Sequence, residues 1–545
     1  MNIHIAQCEF RIGDLAFQTQ QVIDVCKSAA ADGADLVLFP ELWLPGYPAM
    51  DLLYRSDLHS RVGQSIKRIA DELKGVCAVA VGYPRPASAE LAAHSPELGA
   101  RPTLYNTLGL IAGGEIIAEH RKCSLPNYEV FDERRYFQIG DGPTVVPFKG
   151  RNIGLLVCED VWIPSIVEAT MAAGADCLLV SNGSPYHRGK WSERATELAE
   201  VARKHQVPLF YSNSVGGQDD LVFDGDSQAF DALGQRQARA PMFLPSVLAC
   251  ELDQGNVKGP HLAEDPDTWG EVYDALVLGT RDYIEKNGFP GVILGLSGGI
   301  DSALTQAIAV DALGADRVTA VMMPYHYTSD ISKDDAAEQA NTQGVEYHVA
   351  PIVEPVEALK SQVLPILGDR PLGTTVENLQ SRSRGVILMG LSNATGRLVL
   401  TTGNKSELAV GYATLYGDMA GGYNVLRDVP KTWVFELAKY RNRLSPVIPE
   451  RVITRPPSAE LAPDQVDTDS LPDYPILDDI LDRYLAAHQS PQQIIDAGHA
   501  ADTVERVIRL VNIAEYKRRQ GAVGPRVTPS SFNEDRRVPI TQRWH

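Results

Sequence analysis

Three residues in the first half of the chain have the types needed for thiol chemistry on an amide. Glu41 follows the β-rich run DLVLF, Lys122 sits in EHRKCSLPN, and Cys158 ends the run IGLLV just before a turn. A thiol attacks only after losing its proton, and a nearby carboxylate can act as the base. Attack on an amide creates an oxyanion, which a fixed ammonium group stabilises. Cys123, beside Lys122, lies in a Pro-containing loop without the strand-to-turn setting. Cys158 is therefore the expected nucleophile. Taken singly, each residue also fits a plain role: a small buried thiol, an exposed lysine, a turn-capping acid.

A second constellation lies in Gly295-Leu296-Ser297-Gly298-Gly299-Ile300-Asp301-Ser302. Adjacent glycines allow a tight turn and a close backbone approach. The free N–H groups that open the following helix face an anion. Asp301 would repel phosphate unless a cation lies between them, so Mg²⁺ is expected. The loop lacks Gly-Lys-Ser/Thr and is not a Walker loop. Farther on, Thr402 lies in the run LVLTTG, Asn404 and Glu407 follow it, and GYATLYGD comes next. Glu407 is positioned to share the cation with Asp301. Without the Gly-rich loop, this second segment would read simply as a helix cap on Thr402 or Asn404. Asn378 and Arg382, four apart on a helix, share a face.

These residues need strands to hold them. IHIAQ, DLVLF, CAVAVGY, YNTLGLIAG, IGLLVCED, DCLLVSNGS and PLFYSNS read as strands, with a hairpin at Gly113-Gly114. The polar segment 254–268 breaks the pattern and is the expected linker between domains 1–253 and 269–545. A helix over 272–287 then precedes the strand GVILGL. VTAVMMP, YHVAPI and LVLTTG alternate with helical stretches, which implies a parallel sheet covered on both faces. The end of the chain is helical. The sequence does not say which loops close over substrates; GDMAGGYN and the acidic stretch 461–479 are the candidates.

With 545 residues the chain exceeds one ordinary core, and its net charge of −20 argues against a nucleic-acid partner. The seven cysteines are odd in number and contain no CxxC pair, so a reducing cytoplasm is expected rather than a disulfide framework. No run suggests a membrane span or a signal peptide. The expected partners are small molecules, and the chain is expected to be a homo-oligomer.

The first half resembles the nitrilase superfamily, whose Glu-Lys-Cys triad hydrolyses amides and nitriles on an αββα sandwich. The resemblance implies that Glu41, Lys122 and Cys158 are the triad, that Glu133 supports it, and that Tyr128, Ser184 and Lys190 hold glutamine. The second half resembles the ATP pyrophosphatases through SGGIDS. Through TGNKSE and GYATLYGD it is similar to the NAD synthetase family, with a Rossmann-like doubly wound sheet. That resemblance implies ATP on the 295–302 loop, Thr402, Lys431 and Ser458. It implies deamido-NAD on Asn378, Arg382, Glu407 and Lys517, and Mg²⁺ on Asp301 and Glu407. Ser458 stands where single-domain members often carry Thr. The order of the halves implies amidation of deamido-NAD, through an adenylated carboxylate, by ammonia from glutamine along a shielded path. Alternatives are another glutamine-fed ATP pyrophosphatase, a nucleotide-binding regulator without catalysis, and a plain amidase.

Overall fold

The computed structural model describes residues 1–87, 104–260, 262–458, 460–462, 467, 471–542 and 544. It forms two compact units, Met1–Gly216 with Phe223–Pro266, and Gly217–Val222 with Asp267–His545.

The first unit stacks two sheets. One has the order β15-β14-β1-β2-β3-β4-β5, from β1 (Asn2–Gln7), β2 (Leu36–Leu38), β3 (Ala78–Pro86), β4 (Leu104–Ala112), β5 (Glu115–Arg121), β14 (Ser246–Asp253) and β15 (Asn256–Lys258). The other has the order β13-β12-β9-β8-β7-β6, from β6 (Thr144–Phe148), β7 (Arg151–Val157), β8 (Cys177–Asn182), β9 (Leu209–Asn213), β12 (Gln228–Phe230) and β13 (Arg236–Arg239). Their inner faces meet in one core that includes Ile5, Leu38, Leu108, Leu155, Leu179 and Phe210. On the outside, the helix Lys190–His205 packs Leu198 and Ala202 against the second sheet, in a cluster with Leu178 and Leu209. Helices Leu15–Ala31 and Ser56–Glu72 bury one apolar face each. This is the expected αββα sandwich. Gly113 and Gly114 both have positive φ, 63° and 93°, as the tight hairpin joining β4 and β5 requires.

The expected linker 254–268 is shorter in the structure. Asn256–Lys258 pairs antiparallel with β14 and so belongs to the first sheet. Its single buried side chain, Val257, was too little apolar signal to read in a polar run. Residues Gly217–Val222 group with the second unit, an exchange that no composition shift announces. There Gly217 N–H donates to Asp282 at 2.7 Å, and its carbonyl accepts from Lys286 at 2.6 Å.

The second unit is built on a wholly parallel sheet of order β18-β17-β16-β19-β20. Its strands are β16 (Val292–Gly295), β17 (Val318–Met322), β18 (Glu346–Val349), β19 (Leu398–Thr401) and β20 (Tyr423–Asn424). The chain starts in the middle, at β16, moves to one side through β17 and β18, and returns to the other side at β19. That reversal opens a crevice beyond the carboxyl ends of β16 and β19, the position where doubly wound sheets bind ligands. The helical C-terminal part packs its own core around Leu477, Ile480, Val504 and Val511. Among the described residues no helix is long and apolar enough to cross a membrane. All seven cysteines are free thiols.

Candidate active sites

Each expected triad residue lies at or just beyond a strand end: Glu41 after β2, Lys122 after β5, and Cys158 after β7. The sandwich brings them together, and all three are buried. The Lys122 ammonium donates to Glu41 Oε1 at 2.7 Å and to Glu133 Oε1 at 2.8 Å. Glu41 is held further by Asn106 Nδ2 at 2.6 Å on Oε1 and by Gly183 N–H at 3.0 Å on Oε2. Tyr47 O–H donates to Glu133 Oε1 at 2.9 Å.

Two carboxylates, Glu41 and Glu133, share the single ammonium of Lys122 in this site. Burial by itself would depress the Lys122 ammonium, but Glu133 and Glu41 hold it well above its usual range. Burial pushes the Glu133 carboxyl up to about 7, with Glu41 adding to the shift and Lys122 opposing it. Burial, then Glu41, also raise the Cys158 thiol well above its ordinary value, against Lys122. A thiol raised in this way gives up its proton only to a base. Cys158 has φ 46°, a left-handed conformation that a side chain rarely adopts. It opens the short 3₁₀ turn Cys158–Trp162 at the end of β7. Strain of this kind clusters at sites of function.

The expected glutamine residues surround this group unevenly. Tyr128 is half exposed and donates from its hydroxyl to both oxygens of Glu159, at 3.1 Å each, so it is tied to the residue after Cys158. Ser184 follows Gly183 and donates its N–H to Asn213 Oδ1 at 2.9 Å. Lys190 opens its helix and pairs with Glu193 at 3.2 Å. Cys123 lies outside the ionic cluster, its sulfur on backbone carbonyls.

In the second unit, a cavity of about 420 Å³ occupies the crevice. Gly295, Leu296, Ser297, Gly299, Ile300, Asp301 and Ser302 line it. Gly298 faces away: at φ 79°, a Cβ there would lie 2.2 Å from the Ser332 carbonyl, so only glycine fits. Ser302 Oγ accepts Ser297 N–H at 3.2 Å, which closes the loop on the start of helix Ile300–Leu313. Arg455 Nη2 donates to the Gly298 carbonyl at 3.1 Å.

Asp301 and Glu407 meet across the cavity through Lys431, whose ammonium lies 2.5 Å from Asp301 Oδ2 and 3.0 Å from Glu407 Oε1. Asn404 caps helix Lys405–Val410 by accepting Glu407 N–H, and its Nδ2 donates to Asp301 at 2.9 Å. The expected cap at Asn404 is thus present, and the same side chain also bonds Asp301. Burial pushes the Glu407 carboxyl up to about 7; Lys431 opposes the shift and Asp301 adds to it.

Thr402, Ser458, Asn378 and Lys517 also line the cavity. The Lys517 ammonium rests on the Gly411 and Ala413 carbonyls, at 2.8 Å each. Arg382 does not line the cavity; its Nε donates to the Leu415 carbonyl at 3.2 Å. Arg384, two residues on, does line it, and burial lowers its guanidinium to about 10. Its spacing from Glu377, seven residues or two helical turns, is the signal that would have found it. Asp467 lines the cavity too, and Tyr474 donates to it at 2.8 Å. Of the candidate closing segments, Gly417, Asp418 and Ala420 line the cavity. Within 461–479, residues 463–466 and 468–470 lie outside the described residues.

Comparison with known proteins follows the same division. Residues 3–259 match the carbon-nitrogen hydrolase family model, and residues 272–521 match the NAD synthase model. The chain is 49% identical over 546 residues to the glutamine-dependent NAD(+) synthetase of Acinetobacter baylyi, covering 99% of this chain and 98% of that one. It is 47% identical to the Xanthomonas campestris synthetase, over 100% of this chain and 98% of the relative. Among solved structures, the Acinetobacter baumannii glutamine-dependent NAD+ synthetase in complex with ADP superposes with a TM-score of 0.80 at 46% identity, covering 99% and 98% of the two chains. The Cytophaga hutchinsonii enzyme, at 20% identity and a TM-score of 0.84 over 99% and 98%, shares the fold. By full-length likeness at this level of identity, the chain belongs to the family of glutamine-dependent NAD(+) synthetases.

Proposed function

We propose that the chain amidates deamido-NAD to NAD at the expense of ATP, with ammonia released from glutamine in its first unit. The observation that carries this reading is one chain holding both a buried Glu-Lys-Cys cluster and a nucleotide-sized cavity behind a Gly-rich loop. The family likeness over the full length supports the same pairing.

In the first unit, Glu41 removes the Cys158 proton and the sulfur attacks the glutamine carboxamide carbon. The oxyanion lies toward the Lys122 ammonium. Glu41 then gives the proton to the departing nitrogen, which leaves as ammonia, and a thioester remains on Cys158. Water, deprotonated by Glu41, attacks the thioester carbon, the C–S bond breaks, and the proton returns to the sulfur as glutamate leaves. Glu133 keeps Lys122 charged and fixed. Tyr128, Ser184 and Lys190 are proposed to hold the rest of glutamine.

In the second unit, the 295–302 loop, Thr402 and Ser458 are proposed to hold ATP. Asn378, Glu407 and Lys517 are proposed to hold deamido-NAD, with Arg384 in place of Arg382, which does not line the cavity. The nicotinate carboxylate attacks the α-phosphate, pyrophosphate leaves, and ammonia displaces AMP from the acyl adenylate. Lys431 contributes positive charge at Asp301, where the triphosphate would lie. The acids fit Mg²⁺, because Asp301, Glu407 and Asp467 outnumber the single ammonium of Lys431 among them, and hard oxygen donors suit that ion. Asp301 and Glu407 would hold it, and when bound it offsets charge on the phosphates.

The test is a product assay with the full chain, ATP, Mg²⁺ and deamido-NAD, with glutamine or ammonium as nitrogen source. NAD and AMP are expected from both. Pyrophosphate released only with another acceptor, such as xanthosine monophosphate or aspartate, would overturn the assignment.

A further inference from the structure

Asp160 lies two residues after the nucleophile and is fully buried. Four donors converge on its carboxylate. Oδ1 accepts the backbone N–H groups of Cys123 at 2.9 Å and Ser124 at 2.8 Å. Oδ2 accepts Val157 N–H at 3.1 Å and faces His120 Nε2 at 2.9 Å. An acceptor oxygen requires the proton on Nε2, so the imidazole is the fourth donor. The chain positions held are 120, 123, 124 and 157. They flank Lys122 on both sides and directly precede Cys158. Lys122 and Cys158 come from different strands, and within this cluster one carboxylate ties both backbones.

His120, Cys123 and Asp160 also place possible metal-ligand atoms within 4.8 Å of one another. Each Asp160 oxygen already accepts two hydrogen bonds, however, which leaves little lone-pair capacity for an ion. The arrangement serves position rather than coordination.

We propose that Asp160 is a positioning residue for glutamine hydrolysis, setting the Cys158 turn and the Lys122 backbone in one frame. The proposal rests on the reaction assigned above to the first unit. Asparagine has nearly the same shape but presents an N–H₂ group to one side of this four-donor cluster, whichever way it turns. With the N–H₂ toward Cys123 and Ser124 both of their bonds are lost; with it toward Val157 that bond is lost, and the His120 bond survives only if the imidazole moves its proton to Nδ1, so the turn at Cys158 and the loop after Lys122 can no longer both be held.

The test compares the full-length wild type with Asp160→Asn. Glutamate release gives kcat and KM, and peptide mass analysis gives the rate of Cys158 alkylation by iodoacetamide. Misplacement of the reacting groups is expected to lower kcat about 10- to 100-fold, with KM for glutamine changed less than about twofold. Cys158 alkylation should slow with it, because the thiol loses its alignment with Glu41. NAD formation from ammonium should stay at the wild-type rate, a result that a general loss of folding would not give. A wild-type kcat, or a loss carried wholly by KM, overturns the proposal. If Asp160→Asn does not fold, His120→Leu and His120→Gln decide: the first should lower kcat, and the second, which restores a donor, should recover most of it. Equal activity of that pair overturns the proposal. A wild type that releases no glutamate would sink the assigned reaction, while the alkylation rates would still report whether Asp160 sets the Cys158 turn.

Discussion

In the first unit Glu41, Lys122 and Glu133 close on one another with no exposed charge, and Glu133 Oε2 is left without a hydrogen-bond partner. In the second unit Asp301, Glu407 and Asp467 line an open cavity with one ammonium among them. The thiol site is preorganised around its own ions, as suits a reaction in which the substrate amide brings no charge to the reacting centre. The second site has its acids on the wall of an open cavity, where a ligand arriving with a cation would offset them.

The comparison breaks hardest at Cys158. Cys158→Ala should lower glutamine-dependent NAD formation by about four orders of magnitude or more while ammonium-dependent formation persists. Cys123→Ala should leave both nitrogen sources nearly unaffected. Glutamine-dependent activity surviving in Cys158→Ala would remove the thiol mechanism, and parallel loss with ammonium would mean the two units are not chemically separable.

Asp301→Asn should act on the other side of the division. Loss of a charge fixed at the reacting phosphates is expected to lower NAD formation about 100-fold with glutamine and ammonium alike. Unaltered rates at limiting Mg²⁺ would count against its role at the phosphates.

The third prediction concerns stability and sharpens the contrast between a dry cluster and one beside a cavity. Lys122→Met strands Glu41 and Glu133 in a dry interior, which is expected to cost about 3–5 kcal/mol. Lys431→Met strands Asp301 and Glu407 beside a cavity that admits water, so its loss should be smaller. Thermal unfolding of the two variants measures both; equal shifts would show that the two sites do not differ in this way.

How far the sequence reveals these sites depends on how local each signal is. The Gly-rich loop, its flanking strand and helix, and the Asn404 cap all lie in short continuous runs, so residue types and order suffice to find them. Glu41, Lys122 and Cys158 are far apart in sequence, but each ends or follows a readable strand. Asn106, Gly183 and Tyr47 were not legible, because they are ordinary residues whose partners come from other strands. Arg384 was missed in favour of Arg382 because two nearby arginines on one helix differ only in rotation about its axis. Val257 and the 217–222 segment show the same limit at the domain boundary, where a single buried side chain or a backbone bond to Asp282 sets membership.

The left-handed backbone at Cys158 means that the fold gives up stability at the position proposed to carry the nucleophile. A Cβ at φ 46° is unfavourable whether the side chain is cysteine or alanine, and only glycine is free of it. Cys158→Gly should therefore unfold at a higher temperature than Cys158→Ala, by the equivalent of about 1 kcal/mol, even though glycine fills less space and is more disordered when unfolded. The reverse order would mean that the turn holds its shape without strain. The melting temperatures of two inactive variants would thus measure how much resilience the protein forgoes for a reactive sulfur.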